Sequence, residues 1–228
     1  MTAPPQHRPI RSFVRREGRI TTAQQKALDT LWSCYGVADQ NTLLDLNTLF
    51  GRTVPRILEI GFGNGESLAT TAAAHPEIDF LGIEIHRPGI GHLLKLLEAQ
   101  GLGNVRILCA DAREILTSRL PDTSLERIHI FFPDPWPKKR HHKRRLIQVP
   151  FVALLADKLK PGGILHLATD WEHYAEHMLS VLQAEERFVS THTSGAFAPR
   201  PDDRPSTKFE RRGQRLGHRV YDLIYRRR

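Results

Sequence analysis

Cysteine is scarce in this chain of 228 residues, and long apolar runs are missing from it. The two cysteines, Cys34 and Cys109, stand apart with no CxxC pair or Cys/His cluster beside them, so neither a disulfide framework nor a zinc site is expected. No stretch approaches the roughly 20 apolar residues that a membrane-spanning helix needs. The N-terminal MTAPPQHRPIRSFVRREGRI is polar and basic where a signal peptide would carry an apolar segment. An HExxH pattern is also missing: His173 and His177 stand four apart on a helical stretch, but nothing around them completes a metal site. These absences point to a cytoplasmic protein with reduced thiols, no metal and no membrane partner.

What is present is enough for a full core. With 40% hydrophobic residues, the length suits one α/β domain with tails. Residues 1–20 read as a flexible basic arm and 21–228 as the single domain, the stretch 21–51 being a helical prelude whose TTAQQKALDTLW opens with a cap.

The distribution of charge says more than its sum of +8. Residues 1–20 carry five arginines against one glutamate, residues 138–145 carry six cations, and residues 200–228 carry ten cations against four acids. The rest of the chain is therefore acidic. One such run alone is a solvated face. Three together point to a polyanion, since each Lys or Arg that meets a phosphate releases counterions and adds affinity.

From residue 56 onward, apolar runs of strand length alternate with helix-period segments, which predicts a doubly wound, mostly parallel sheet. RILEIG (56–61), DFLGIEI (79–85), VRILCA (105–110), RIHIFF (127–132) and GILHLAT (163–169) are the central strands. RFVSTHTS and RVYDLIYR are expected as an antiparallel pair at one edge, separated by a polar loop over 195–217. The stretch RRLIQVPFVALLADKLKPGG is expected to be one helix, stopped by Pro-Gly-Gly.

LEIGFGNGES places Gly61, Gly63 and Gly65 after the first strand, where a tight turn lets the backbone approach a ligand. The spacing is GxGxG rather than the dinucleotide GxGxxG, and Glu66 follows where a phosphate would sit. Glu59 precedes the loop. Glu84 ends the second strand, 23 residues after Gly61, the separation at which an acid accepts from ribose hydroxyls. Asp111 ends the third, where it can meet an adenine amino group. Each acid alone is a solvated strand-end residue, but their recurrence around one glycine loop favours a shared ligand. A ligand with an adenosine, a cation and no phosphate is S-adenosylmethionine, and this section resembles the class I methyltransferases with their Rossmann-like, seven-stranded fold.

The fourth strand runs into PDPWPKKRHHKRR. Pro133, Pro135 and Pro137 fix φ at alternate positions and stiffen the turn around Asp134, while Trp136 offers a flat face. FPDPWPKKRHHKRR, LATDWEHYAEHM, PSTKFERRGQRLGH and IRSFVRREGRI together resemble the bacterial tRNA (guanine-N7)-methyltransferase family from residue 10 to the end. The resemblance implies that Glu59, Glu84, Asp111 and Asp134 contact S-adenosylmethionine, that Asp134 is catalytic, and that Lys138, Asp170, Thr207, Lys208, Phe209 and Glu210 bind substrate. It also implies guanine 46 of tRNA as the target and S-adenosylhomocysteine as the product. Lys139, Arg140, Lys143, Arg144 and Arg145 are expected on RNA phosphates, in a monomer or homodimer. An amino-group methyltransferase would carry [DN]PP[YFW] in place of PDPWP. A dehydrogenase would bind NAD(H), and a non-enzymatic RNA-binding relic of the fold would not need the four acids.

Overall fold

The computed structural model describes residues 12–13, 18–192, 197–205, 208–215 and 217–228; of Lys208, Phe209, Arg212 and Gln214 it describes the backbone alone. The prelude forms α1 (Thr22–Tyr35) and α2 (Leu46–Phe50). Thr21 caps α1 through a reciprocal box with Gln24, satisfying two of the helix's free N–H groups. Most of the basic arm expected over 1–20 lies outside the described residues.

Seven strands form one sheet in the order β3-β2-β1-β4-β5-β7-β6. These are β1 (Arg56–Ile60), β2 (Asp79–Ile83), β3 (Val105–Leu108), β4 (Leu125–Phe131), β5 (Leu159–Thr169), β6 (Phe188–Ser190) and β7 (Tyr221–Arg227). β1 to β5 run parallel, and β7 is antiparallel to both β5 and β6. The order reverses between β1 and β4, the place where a doubly wound sheet opens a crevice at its carboxyl edge. The strands are legible because their apolar residues pack into the core: Leu58, Leu81, Ile128 and Leu165 lie on one side and Ile57, Phe80 and Val105 of β1 to β3 on the other, while the second face of β4 carries the exposed Arg127 and the half-buried His129. On the first side lie α5 (Ala112–Ser118), α6 (Val149–Lys158) and α7 (Glu172–Ala184). On the second lie α3 (Glu66–Ala74), α4 (Arg87–Gln100) and α1.

Two expectations are corrected. The stretch from residue 144 is not one helix: a 3-10 turn (Lys139–Arg144) precedes α6, which opens with Pro150 in its first turn and ends at Lys158. Pro150 lacks the N–H that a continuing helix would require. The Pro-Gly-Gly that read as a helix stop lies inside β5, where the pairing with β4 shifts register. There Gly162 has φ +82°, and a Cβ on Gly163 would sit 2.8 Å from the Lys160 carbonyl oxygen; the glycines make a strand irregularity. The loop read over 195–217 contains α8 (Lys208–Arg215). Its sequence KFERRGQR has too few apolar residues to show helical periodicity.

Candidate active site

The glycine loop after β1 holds Gly61, Gly63 and Gly65 at φ +74°, +61° and +76°. A Cβ on Gly65 would lie 2.6 Å from Leu93 Cβ of α4. Only glycine lets the loop turn this tightly against that helix.

The acids expected at successive strand ends gather at this edge. The Glu84 carboxylate accepts hydrogen bonds from three backbone N–H groups, those of Gly63 (2.9 Å), Ile85 (2.6 Å) and His86 (2.9 Å). It thereby ties the glycine loop to the end of β2. Glu59 is buried on β1, and its carboxyl is pushed up to about 8, first by burial and then by the charge of Glu84. Asp111 caps α5, accepting from the Arg113 N–H at 2.9 Å.

Beyond β4, the Phe132 N–H donates to the Ala168 carbonyl at 2.8 Å, prolonging the ladder to the edge of the sheet. Phe132 and Trp136 then take φ +52° and +45°. Left-handed backbone at such bulky residues costs on the order of 1–3 kcal/mol each and persists only where neighbours enforce it. Between them Asp134 is exposed. The Trp136 indole N–H donates to the Ser12 carbonyl at 3.1 Å, Arg144 stacks over its ring at 4.9 Å, and His141 meets its edge.

The cation run does not behave as one surface. Lys138, Lys139, Arg140 and Lys143 are exposed, and Arg144 is half-buried over Trp136. Arg145, expected on a phosphate, is 0% exposed. Its Nε donates to the Pro135 carbonyl at 2.9 Å, and its terminal nitrogens reach the His173 carbonyl oxygen and Nδ1. Burial among these acceptors removes it from any RNA surface. His177 Nε2 lies 2.9 Å from the Ile147 carbonyl oxygen, so both histidines of the helical pair serve α7 and its neighbours. Among the described residues no group of three or more His, Cys, Asp or Glu side chains could hold a metal ion. None of their helices is long and apolar enough to cross a membrane.

Asp170, just past β5, is packed by α8: a Cβ on Gly213 would lie 2.8 Å from its Oδ2, and His218 Nδ1 lies 3.5 Å from the same oxygen. Arg211 of α8 pairs with Glu66 at 3.1 Å. The helix thus links the end of β5 to the start of α3. Glu210, expected to touch substrate, is 0% exposed and grips Arg204 through both carboxylate oxygens (2.8 and 3.0 Å). Its carboxylate anchors α8 instead of facing a ligand. Thr207 lies outside the described residues, as do the side chains of Lys208 and Phe209.

Sequence reasoning missed the group that anchors α8. Arg204 also donates to Asp222 of β7 at 3.2 Å, and Asp222 meets His166 Nε2 at 2.7 Å. Beside this chain a cavity of about 380 Å³ lies on the sheet face, lined by Arg127, His129, His166, Thr71 and His75 among others. His129 is held down to about 3, by burial and then by His166, and is neutral. The alternation of Arg127, His129 and Phe131 on one face of β4 was the one signal of this polar row.

Comparison with known proteins agrees with this arrangement. A family profile described as "Putative methyltransferase" matches residues 53–223. The tRNA (guanine-N(7)-)-methyltransferase of Alkalilimnicola ehrlichii is 61% identical, over 97% of this chain and 94% of its own. That of Thiobacillus denitrificans is 58% identical over the full length of both. Among solved structures, the 16S rRNA methyltransferase KamB superposes with a TM-score of 0.59 at 16% identity, covering 85% of this chain and 98% of KamB, a likeness of fold. With its doubly wound sheet, glycine loop and acids at the strand ends, the chain belongs to the tRNA (guanine-N(7)-)-methyltransferase family.

Proposed function

We propose that the protein transfers the methyl group of S-adenosylmethionine to N7 of guanine 46 in tRNA, releasing S-adenosylhomocysteine. The observation that carries this reading is the presentation of Asp134 on a stiffened turn at the end of β4, beside a glycine loop ringed by carboxyl groups. The names of the curated relatives support the reaction class, and the PDPWPKKRH string supports position 46.

The donor set fits the proposed cofactor. Burial and the charge of Glu84 keep a proton on Glu59; a cationic ligand would favour its release, and a pyrophosphate would hold it more tightly. Glu84 sits where ribose hydroxyls are received and Asp111 where an adenine amino group would be. When bound, S-adenosylmethionine supplies an electrophilic methyl on a sulfonium. Guanine N7 already carries a free lone pair, so no proton has to leave before attack, and no general base is required. Asp134 therefore works by placement and charge: its carboxylate holds the base in line and stabilises the positive charge that develops on the purine. Asp170 accepts from the guanine N1–H and N2–H₂ edge, which selects guanine over adenine. Lys138, Lys139, Arg140 and Lys143 meet phosphates and offset the few kcal/mol needed to unstack the nucleotide.

The test is direct. Purified protein incubated with labelled S-adenosylmethionine and unmodified tRNA should yield 7-methylguanosine at position 46, mapped by nuclease digestion and mass spectrometry. Label on an exocyclic amino group, or on a guanine elsewhere, would overturn the reading.

A further inference from the structure

Arg145 is a buried cation without a carboxylate partner among the described residues. Its Nε donates to Pro135, its other nitrogens face the His173 carbonyl and Nδ1, and its guanidinium stacks on the Tyr174 ring at 4.8 Å. Tyr174 is itself fixed, its hydroxyl accepting from the Ile147 N–H at 3.1 Å. Desolvation holds Arg145 below its usual range. A buried charge is costly unless every donor is used, and a surface run of cations has no need of one inside.

What it grips explains its place. Pro133, Pro135 and Pro137 have no N–H, so this turn can be held mainly through its carbonyl oxygens. Pro135 follows Asp134 directly, and the positive φ angles of Phe132 and Trp136 flank the pair. A donor from below, anchored to α7, is what keeps such a turn from relaxing. Lysine, with one ammonium and no planar fork, could satisfy Pro135 or His173 but not both from one position.

We propose that Arg145 is a positioning residue for methyl transfer: it clamps the Asp134 turn through the Pro135 carbonyl and takes no part in binding RNA. This rests on the reading that Asp134 organises transfer. The clamp fixes where the aspartate carboxylate stands, so it acts on turnover rather than on affinity.

The experiment compares Arg145→Ala, Arg145→Lys, Asp134→Asn and the double variant Arg145→Ala/Asp134→Asn in the full chain. The readouts are kcat, cofactor and tRNA Kd, the salt dependence of tRNA binding, and thermal midpoint. Arg145→Ala should lose about 10- to 100-fold in kcat, the scale of a misplaced reacting group, with both Kd values within about twofold of wild type and an unchanged salt slope. Arg145→Lys should recover part of the loss. The double variant should be no slower than Asp134→Asn alone, since the two residues act as one unit. A salt slope lower by about one unit would make Arg145 a phosphate contact and overturn the proposal. Wild-type kcat in Arg145→Ala, or losses that multiply in the double variant, would overturn it too. Should Arg145→Ala not fold, Arg145→Lys decides: wild-type kcat there ends the proposal, and slowed turnover at unchanged affinity upholds it. Wild-type turnover in Asp134→Asn would remove the aspartate's role while Arg145→Ala stayed slow; a slow Asp134→Asn beside a fast Arg145→Ala would remove the clamp alone.

Discussion

Glu59 is the residue whose environment has the clearest thermodynamic consequence. Its carboxyl titrates near 8 when folded against an ordinary 4.5, so between those values the folded chain keeps a proton that the unfolded chain releases. Stability should therefore fall with rising pH across that window, at up to about 1.4 kcal/mol per pH unit from this group, and level off above it. Glu59→Gln should flatten the fall and be more stable than wild type at pH 8 to 9, measured as thermal midpoint against pH. Parallel curves for the two proteins would show that Glu59 is already ionised. Glu84 predicts a different behaviour. Glu84→Ala should weaken S-adenosylmethionine binding by about 1–3 kcal/mol, because charged hydrogen bonds are lost and the Gly63 N–H loses its acceptor. The tRNA affinity should hardly move. Calorimetric titrations of both ligands check this, and an unchanged cofactor affinity would take Glu84 out of the site. At this scale the acids were legible because each ends a recognisable strand. Arg145 was not: six cations in eight residues look alike until the chain's turn decides which one points inward.

The elements differ in how openly their sequences declare them. β1 to β5 are carried by apolar runs that pack into the core, whereas five of the eight residues of α8 are charged and a buried ion pair from Glu210 to Arg204 holds the helix. Arg204 and Glu210 are both buried, so removing one leaves the other's charge without its main partner. Arg204→Ala should cost about 3–5 kcal/mol in denaturant unfolding, while Arg204→Met combined with Glu210→Leu should recover most of that stability. If the double variant unfolds as easily as the single one, α8 is not held by this pair. The Pro-Gly-Gly segment teaches the converse. The same three residues that stop a helix also make a strand irregularity, and only the neighbouring β4 register selects between them.

Across the whole molecule, basic segments lie on an otherwise acidic chain, and the exposed part of the central run predicts electrostatic RNA binding. Neutralising Lys139, Arg140 or Lys143 singly should lower tRNA affinity and reduce the slope of log K against log salt by about one unit each. Cofactor affinity should stay constant. Three slopes equal to the wild type's would mean that the run is only a hydrated surface. The position of β7 carries a consequence for how the chain is made. Among the described residues β6 pairs with β7 alone, and one edge of β5 is completed by β7, yet some thirty residues of sequence separate β6 from β7. At about 5–20 residues per second on a ribosome, β6 waits a few seconds for its neighbour, with β5 presenting an unpaired edge throughout. The stretch synthesised during that interval carries Arg204 and α8. The link from α8 to Glu66 at the start of α3 is therefore assembled in the same event that closes the sheet, and a nascent chain interrupted before β7 exposes a sticky strand in place of half an enzyme.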